Sequence, residues 1–219
     1  MQTIIIEPPQ AANASIIWLH GLGDDGHGFE FIVTELAKTI SDRTRFIFPH
    51  APERRITING NMVMRGWYDI LGLDKTAPQD AKGIYEADKI ICELIQTEIN
   101  KGISSEKIFL AGFSQGGTMA LHTGLRYSQP LGGIIALSSY LPLNDTVEDE
   151  IHAANRNIPI FMAHGIIDNV ISLNYAELSR ERLKKLNYDI EWHQYYMEHT
   201  VHPEEINDIS SFITNFMEI

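Results

Sequence analysis

The chain has 219 residues, 44% hydrophobic and 21% charged, enough for one α/β domain over residues 1–219 with a sizeable core. A formal net charge of −12 argues against a nucleic-acid partner, which needs clustered Lys and Arg, and leaves any contact with an anionic bilayer to apolar groups. The single cysteine, Cys92, excludes an intrachain disulfide; it sits on the apolar side of a helical segment, as a buried core thiol would.

The N-terminus has no basic n-region and only a short apolar run, so it does not read as a signal peptide. Nothing downstream approaches the ~18 apolar residues of a membrane span, and a cytoplasmic protein is expected. Residues 4–7 are a candidate edge strand, and residues 15–20 form a continuous apolar run suited to a sheet covered on both faces. Residues 29–40 carry Phe31, Ile32, Leu36 and Ile40 at helical spacing, and residues 45–48 are the next strand. Ile84, Ala87, Ile91, Leu94, Ile95 and Ile99 mark one face of a long helix. A strand over 107–111 leads into Gly112-Phe113-Ser114-Gln115-Gly116, and a helix follows to about Tyr127. Strands are expected over 133–137, 158–163 and 189–194, and helices over 175–186 and 203–216, the last opening on Pro203 with Glu204 and Glu205 complementing its dipole. Alternating β and α implies a mostly parallel central sheet with helices on both faces and its chemistry at the carboxyl ends of the strands.

G-x-S-x-G between strand and helix is a nucleophile elbow, a tight turn that lifts a serine hydroxyl above the sheet. The glycines are required because side chains at those positions would collide with strand or helix. Serine at neutral pH needs a base within hydrogen-bond reach, oriented in turn by a carboxylate, and in this plan the order is serine, acid, histidine. Asp168 lies just past the strand over 158–163, where the acid belongs; an Asx turn or helix cap before Ser172 is the structural alternative. Asp145 and Asp149 fall in a polar connection and are weaker candidates.

Three histidines follow. His193 lies inside a strand, where a satisfied sheet histidine is the default. His199 lies in the loop beyond it. His202 abuts a helix N-terminus, where the dipole disfavours an imidazolium, so His199 is the base and His202 the runner-up. A metal site from His199, His202 and Glu204 is disfavoured because the helix starts too late to supply an i, i+4 face; no metal or cofactor is expected. The two oxyanion donors are the backbone N–H of Gln115 and of Leu22, the latter between Gly21 and Gly23. A phosphate-binding loop at this glycine-rich turn lacks both G-x-x-x-x-G-K and G-x-G-x-x-G.

Residues 20–24 (HGLGD), 48–52 (FPHAP), 67–69 (WYD), 112–117 (GFSQGG), His164-Gly165 with Asp168, and His199-Thr200-Val201 ahead of Pro203-Glu204-Glu205-Ile206 occur in order along nearly the whole chain. In these motifs the chain resembles the bacterial carboxylesterase and acyl-protein thioesterase (lysophospholipase-like) family of α/β hydrolases. The resemblance implies an α/β-hydrolase fold without a large cap domain. It implies Ser114, Asp168 and His199 as triad and the Leu22 and Gln115 amides as oxyanion hole. It further implies acyl esters or thioesters as substrates, on a lipid or an acylated protein, and frequently a homodimer. Glu198 stands where the family usually has glycine, and His202 where cysteine is common; a carboxylate beside His199 is expected to move the activity optimum upward.

The insertion over 51–82 carries Met62, Met64, Trp67, Tyr68, Leu71 and Leu73. Adaptable methionines beside aromatics suit an acyl groove, with Met64, Trp67, Leu71 and Leu73 as substrate-binding candidates. The alternative is that Trp67 and Tyr68 pack the loop onto the sheet. Gly72 and residues 74–80 are expected to move and gate the groove, and apolar loops here to touch a membrane surface transiently. A non-catalytic homologue acting as a binding or scaffold protein would have lost a triad member, and all three are present. A serine peptidase would need a cap for which the chain has little room.

Overall fold

The computed structural model describes residues 2–72 and 77–217. Strands β1 (Thr3–Ile6), β2 (Ala14–Leu19), β3 (Thr44–Pro49), β4 (Glu53–Ile56), β5 (Met62–Arg65), β6 (Ile108–Phe113), β7 (Gly133–Leu137), β8 (Ile160–Gly165) and β9 (Ile190–Tyr195) alternate with helices. These are α1 (Ile32–Glu35), α2 (Lys38–Ser41), α3 (Ala81–Asn100), α4 (Gln115–Arg126), α5 (Val147–Glu150), α6 (Leu173–Lys185) and α7 (Pro203–Met217).

The main sheet has the order β1-β3-β2-β6-β7-β8-β9, with β1 antiparallel to β3 and the other pairings parallel. β2 shows why its run is apolar throughout. Ile17 and Leu19 join the core on one face with Ile91, Ile95 and Leu121, while Ile16 and Trp18 join the other with Ile40, Ile209 and Phe212. Helices α3, α4 and α6 thus cover one face, and α1, α2 and α7 the other. From β2 the chain runs outward to β3 and then returns to the far side of β2 as β6, so the order in which strands are added reverses between β2 and β6. In open α/β sheets the crevice above such a reversal is where ligands bind.

The single helix expected over 29–40 does not form. A short 3-10 turn ends at Phe29, and α1 and α2 are separated where Leu36 and Ala37 take extended ψ values of 155° and 136°. The break lets the Ala37 N–H donate to Ser210 Oγ on α7 at 3.2 Å. Ile32, Leu36 and Ile40 stay buried, so tertiary docking overrides local propensity while preserving the apolar face. Helix α3 buries Ile84, Ala87, Ile91 and Ile95, and the Asp80 carboxylate caps it by accepting from the Gly83 N–H. Leu94, Ile99 and Cys92 are only partly buried, so Cys92 sits at the core margin. Burial, with Asp88 adjacent, pushes its thiol up to about 12, leaving it unreactive.

The insertion contains the antiparallel β4–β5 hairpin, which period-two reading did not single out. Leu73 and residues 74–76, where part of the gating expectation falls, lie outside the described residues. Among the described residues no helix is long and apolar enough to cross a membrane.

Candidate active site

Ser114 follows β6 directly with φ 55° and ψ −120°, a backbone that non-glycine residues rarely adopt. The strain is held from several sides. The Ser114 N–H donates to Leu137 O at 2.8 Å, and α4 starts at the next residue. A Cβ on Gly116 would overlap the Leu19 carbonyl, and one on Gly112 would overlap the Gly116 backbone. Only glycine lets strand, turn and helix approach this closely.

Past β8, Asp168 divides its carboxylate between two tasks. Oδ1 accepts from the Val170 and Ile171 amides at 2.8 and 2.9 Å, the Asx turn considered above. Oδ2 lies 2.7 Å from His199 Nδ1. Burial alone would raise this carboxyl, but hydrogen bonds from His164, His199 and the two amides hold it well below the usual carboxylate range. Because Asp168 is an acceptor, the His199 proton sits on Nδ1, and Nε2 is free to accept from Ser114 Oγ at 2.9 Å. Asp168, His199 and Ser114 therefore form one hydrogen-bonded line from three separate connections.

The two rival histidines have structural partners. His193 bonds Glu191 at 3.0 Å and stacks on Phe161. His202 accepts the Glu204 N–H through Nδ1 at 3.2 Å and stacks on Tyr195, capping α7. Glu198 is exposed, and among the described residues its carboxylate makes no hydrogen bond to His199. Among the described residues no three His, Cys, Asp or Glu side chains are grouped to hold a metal ion.

Three supports were not legible in the sequence. His164 Nε2 reaches Ile171 O at 2.8 Å and Asp168 Oδ2 at 3.3 Å, bracing the acid loop. His20 accepts the Ala51 N–H through Nε2 at 2.9 Å and donates from Nδ1 to Gly21 O at 2.7 Å, fixing the turn that carries Leu22. The Gln115 side chain accepts the Trp67 N–H at 2.7 Å and donates to Tyr68 O at 2.7 Å, tying the insertion to the elbow. The backbone amides of Leu22 and Gln115 donate to no turn or loop hydrogen bond among the described residues.

A cavity of about 400 Å³ opens beside Ser114, lined by Leu22 and Gln115 and by apolar Ile58, Ile70, Leu71 and Val170. Leu71 is half-exposed on its wall. Trp67 is fully buried, its indole N–H donating to His20 O at 3.0 Å, and it does not line this cavity. Met64 does not line it either; its sulfur accepts from Asn59 Nδ2 at 3.3 Å.

This architecture, with a strained serine hydrogen-bonded through histidine to a buried carboxylate, defines a serine hydrolase of the α/β-hydrolase class. The chain belongs to the phospholipase/carboxylesterase family, which matches residues 1–217. Acyl-protein thioesterase 1 of Gibberella zeae is 42% identical over 209 residues, 91% of this chain and 89% of that protein. Acyl-protein thioesterase 1 of Yarrowia lipolytica is 39% identical over 212 residues, 94% and 93% of the two chains. Among solved structures, Arabidopsis thaliana SOBER1 superimposes with a TM-score of 0.90 at 30% identity, covering 94% of this chain and all of that one.

Proposed function

We propose that this chain hydrolyses acyl esters and thioesters through an acyl-enzyme on Ser114. The observation that carries the reading is the unbroken line from Asp168 through His199 to Ser114 Oγ, at 2.7 and 2.9 Å. As Ser114 attacks the carbonyl carbon, His199 Nε2 takes its proton, and Asp168 stabilises the imidazolium that forms. The Leu22 and Gln115 amides receive the developing oxyanion. His199 then gives the proton to the departing sulfur or oxygen, and the same steps with water release the acid.

The thioester arm draws support from the relatives named acyl-protein thioesterase 1. The acyl chain lies in the cavity along Ile58, Ile70 and Leu71, and Trp67 and Met64, which do not line it, act on the substrate only through the residues they pack against. The reading takes residues 1–219 as one hydrolase domain working in the cytoplasm. It includes transient contact with a membrane surface through the exposed Met62 and Val63 of the hairpin, and a homodimer as the family resemblance implies. A fluorophosphonate probe should label the wild type and not Ser114→Ala. Equal labelling of the two proteins would remove Ser114 from the mechanism.

A further inference from the structure

A second cavity of about 400 Å³ lies on another side of His199. It shares His199 and Phe113 with the first, but Ser114, Leu22 and Gln115 line only the first. Along it runs a ladder of aromatic contacts. Phe31, 45% exposed, stacks on Phe29 at 5.8 Å between centroids; Phe29 meets Phe113 at 5.6 Å, and Phe113 meets His199 at 4.7 Å. The ladder thus leads from solvent to the imidazole. Val201 and Ile206 add apolar lining, Glu35 contributes the carboxylate, and among the described residues no Lys or Arg borders the cavity.

An acyl substrate has two arms that diverge at the carbonyl carbon. The carbonyl oxygen must face the Leu22 and Gln115 amides, so the cavity that contains them receives the acyl arm. The leaving atom must meet His199 Nε2 to be protonated, so the other arm departs along the imidazole. We propose that the second cavity is the leaving-group subsite, built for the residues flanking an S-acylated cysteine in a peptide with apolar and basic neighbours. The proposal rests on the acyl-enzyme reading above and narrows its substrate. In the acylation step the carbonyl–sulfur bond breaks and the Ser114 Oγ–carbon bond forms. The serine proton passes through His199 to sulfur, and the free thiol leaves along the ladder. Aromatic faces attract apolar groups and cations. Glu35 and the net charge of −12 repel a phosphate or carboxylate in the same place. The cavity therefore disfavours glycerophosphate leaving groups.

The test holds the acyl group constant. S-octanoyl thioesters of three N-acetylated, amidated peptides are compared: phenylalanine–cysteine–lysine, glycine–cysteine–glycine and glutamate–cysteine–glutamate. Active sites are counted by fluorophosphonate labelling, and kcat/KM is read as a ratio within each protein. The wild type should favour the aromatic basic peptide over the acidic one by about tenfold or more. Glu35→Lys should reverse the order of the charged peptides, and Phe31→Ser should narrow the lead of the aromatic peptide over the glycine one, leaving the part due to its lysine. If all proteins label at Ser114 and hydrolyse the glycine peptide, a ranking untouched by either substitution overturns the subsite alone. A wild type that does not label overturns the acyl-enzyme reading, and the subsite with it.

Discussion

His199 and His202 are chemically equal and close in sequence, yet their partners assign them opposite roles. His199 has a carboxylate on one nitrogen and a serine hydroxyl on the other. His202 spends Nδ1 on the Glu204 amide. His199→Ala should lower kcat on the order of 10⁴-fold or more, and His202→Ala should keep most of it; steady-state kinetics on one ester decides between them. Glu205 follows on α7, fully buried, with Oε2 accepting the His202 N–H at 3.1 Å and Oε1 unpartnered among the described residues. Burial pushes its carboxyl up to about 8; the amide bond opposes the shift and Asp208 adds to it. Between the unfolded value of 4.5 and about 8, the unfolded chain releases a proton that the folded one retains. Stability therefore falls as pH rises through that window. Glu205→Gln should abolish this slope, so that its stability relative to the wild type, read as unfolding free energy and as Tm, rises from pH 5 to pH 8 by on the order of a few kcal/mol. Parallel melting curves across that range would mean that Glu205 ionises freely in the folded state. Ser114, Asp168 and His199 could be singled out in the sequence because their residue types and order are constrained by chemistry. His164, His20 and the Gln115 side chain could not, because their value lies in contacts the sequence does not announce.

At the scale of elements, the strands and long helices followed from apolar spacing, whereas the short pieces did not. Leu36 and Ala37 carry no breaker, and the gap between α1 and α2 exists because α7 offers Ser210 to an amide there. The β4–β5 hairpin was hidden because Arg54, Arg55, Met62 and Val63 show no clean alternation of apolar and polar residues, and Met62 and Val63 are both exposed. The residues of the insertion differ in role: Trp67 and Tyr68 are buried anchors held by Gln115, with Tyr68 also reaching the cavity, and Leu71 stands on the cavity wall. Each methylene placed against that wall contributes up to ~0.8 kcal/mol, so kcat/KM should climb over the first several acyl carbons and then level off. Leu71→Asp should flatten the climb while acetate esters react nearly as before. An identical chain-length profile in wild type and variant would place the acyl chain elsewhere.

For the whole molecule, alternation of strand and helix was enough to foresee a parallel sheet covered on both faces. The strand order was not readable, because which strand lies beside which depends on crossovers that leave no local trace. That order matters: the reversal between β2 and β6 brings the Leu22 turn beside the Ser114 elbow. The reacting groups themselves are far apart along the chain, with 85 positions between Ser114 and His199 and 31 between Asp168 and His199. No short contiguous fragment holds them: Ser114 and Asp168 each sit on a connection whose flanking strands pair in parallel, and His199 follows β9, itself paired in parallel with β8, the slower kind of pairing to assemble. Hydrolysis is thus a clock for the last stage of folding. In refolding from denaturant, far-UV circular dichroism should recover ahead of esterase activity, and a single shared time constant would mean that strands and site form in one step. Newly made chains would accordingly hold helices and strands before they hold an enzyme, and only the final closure of the sheet would switch the serine on.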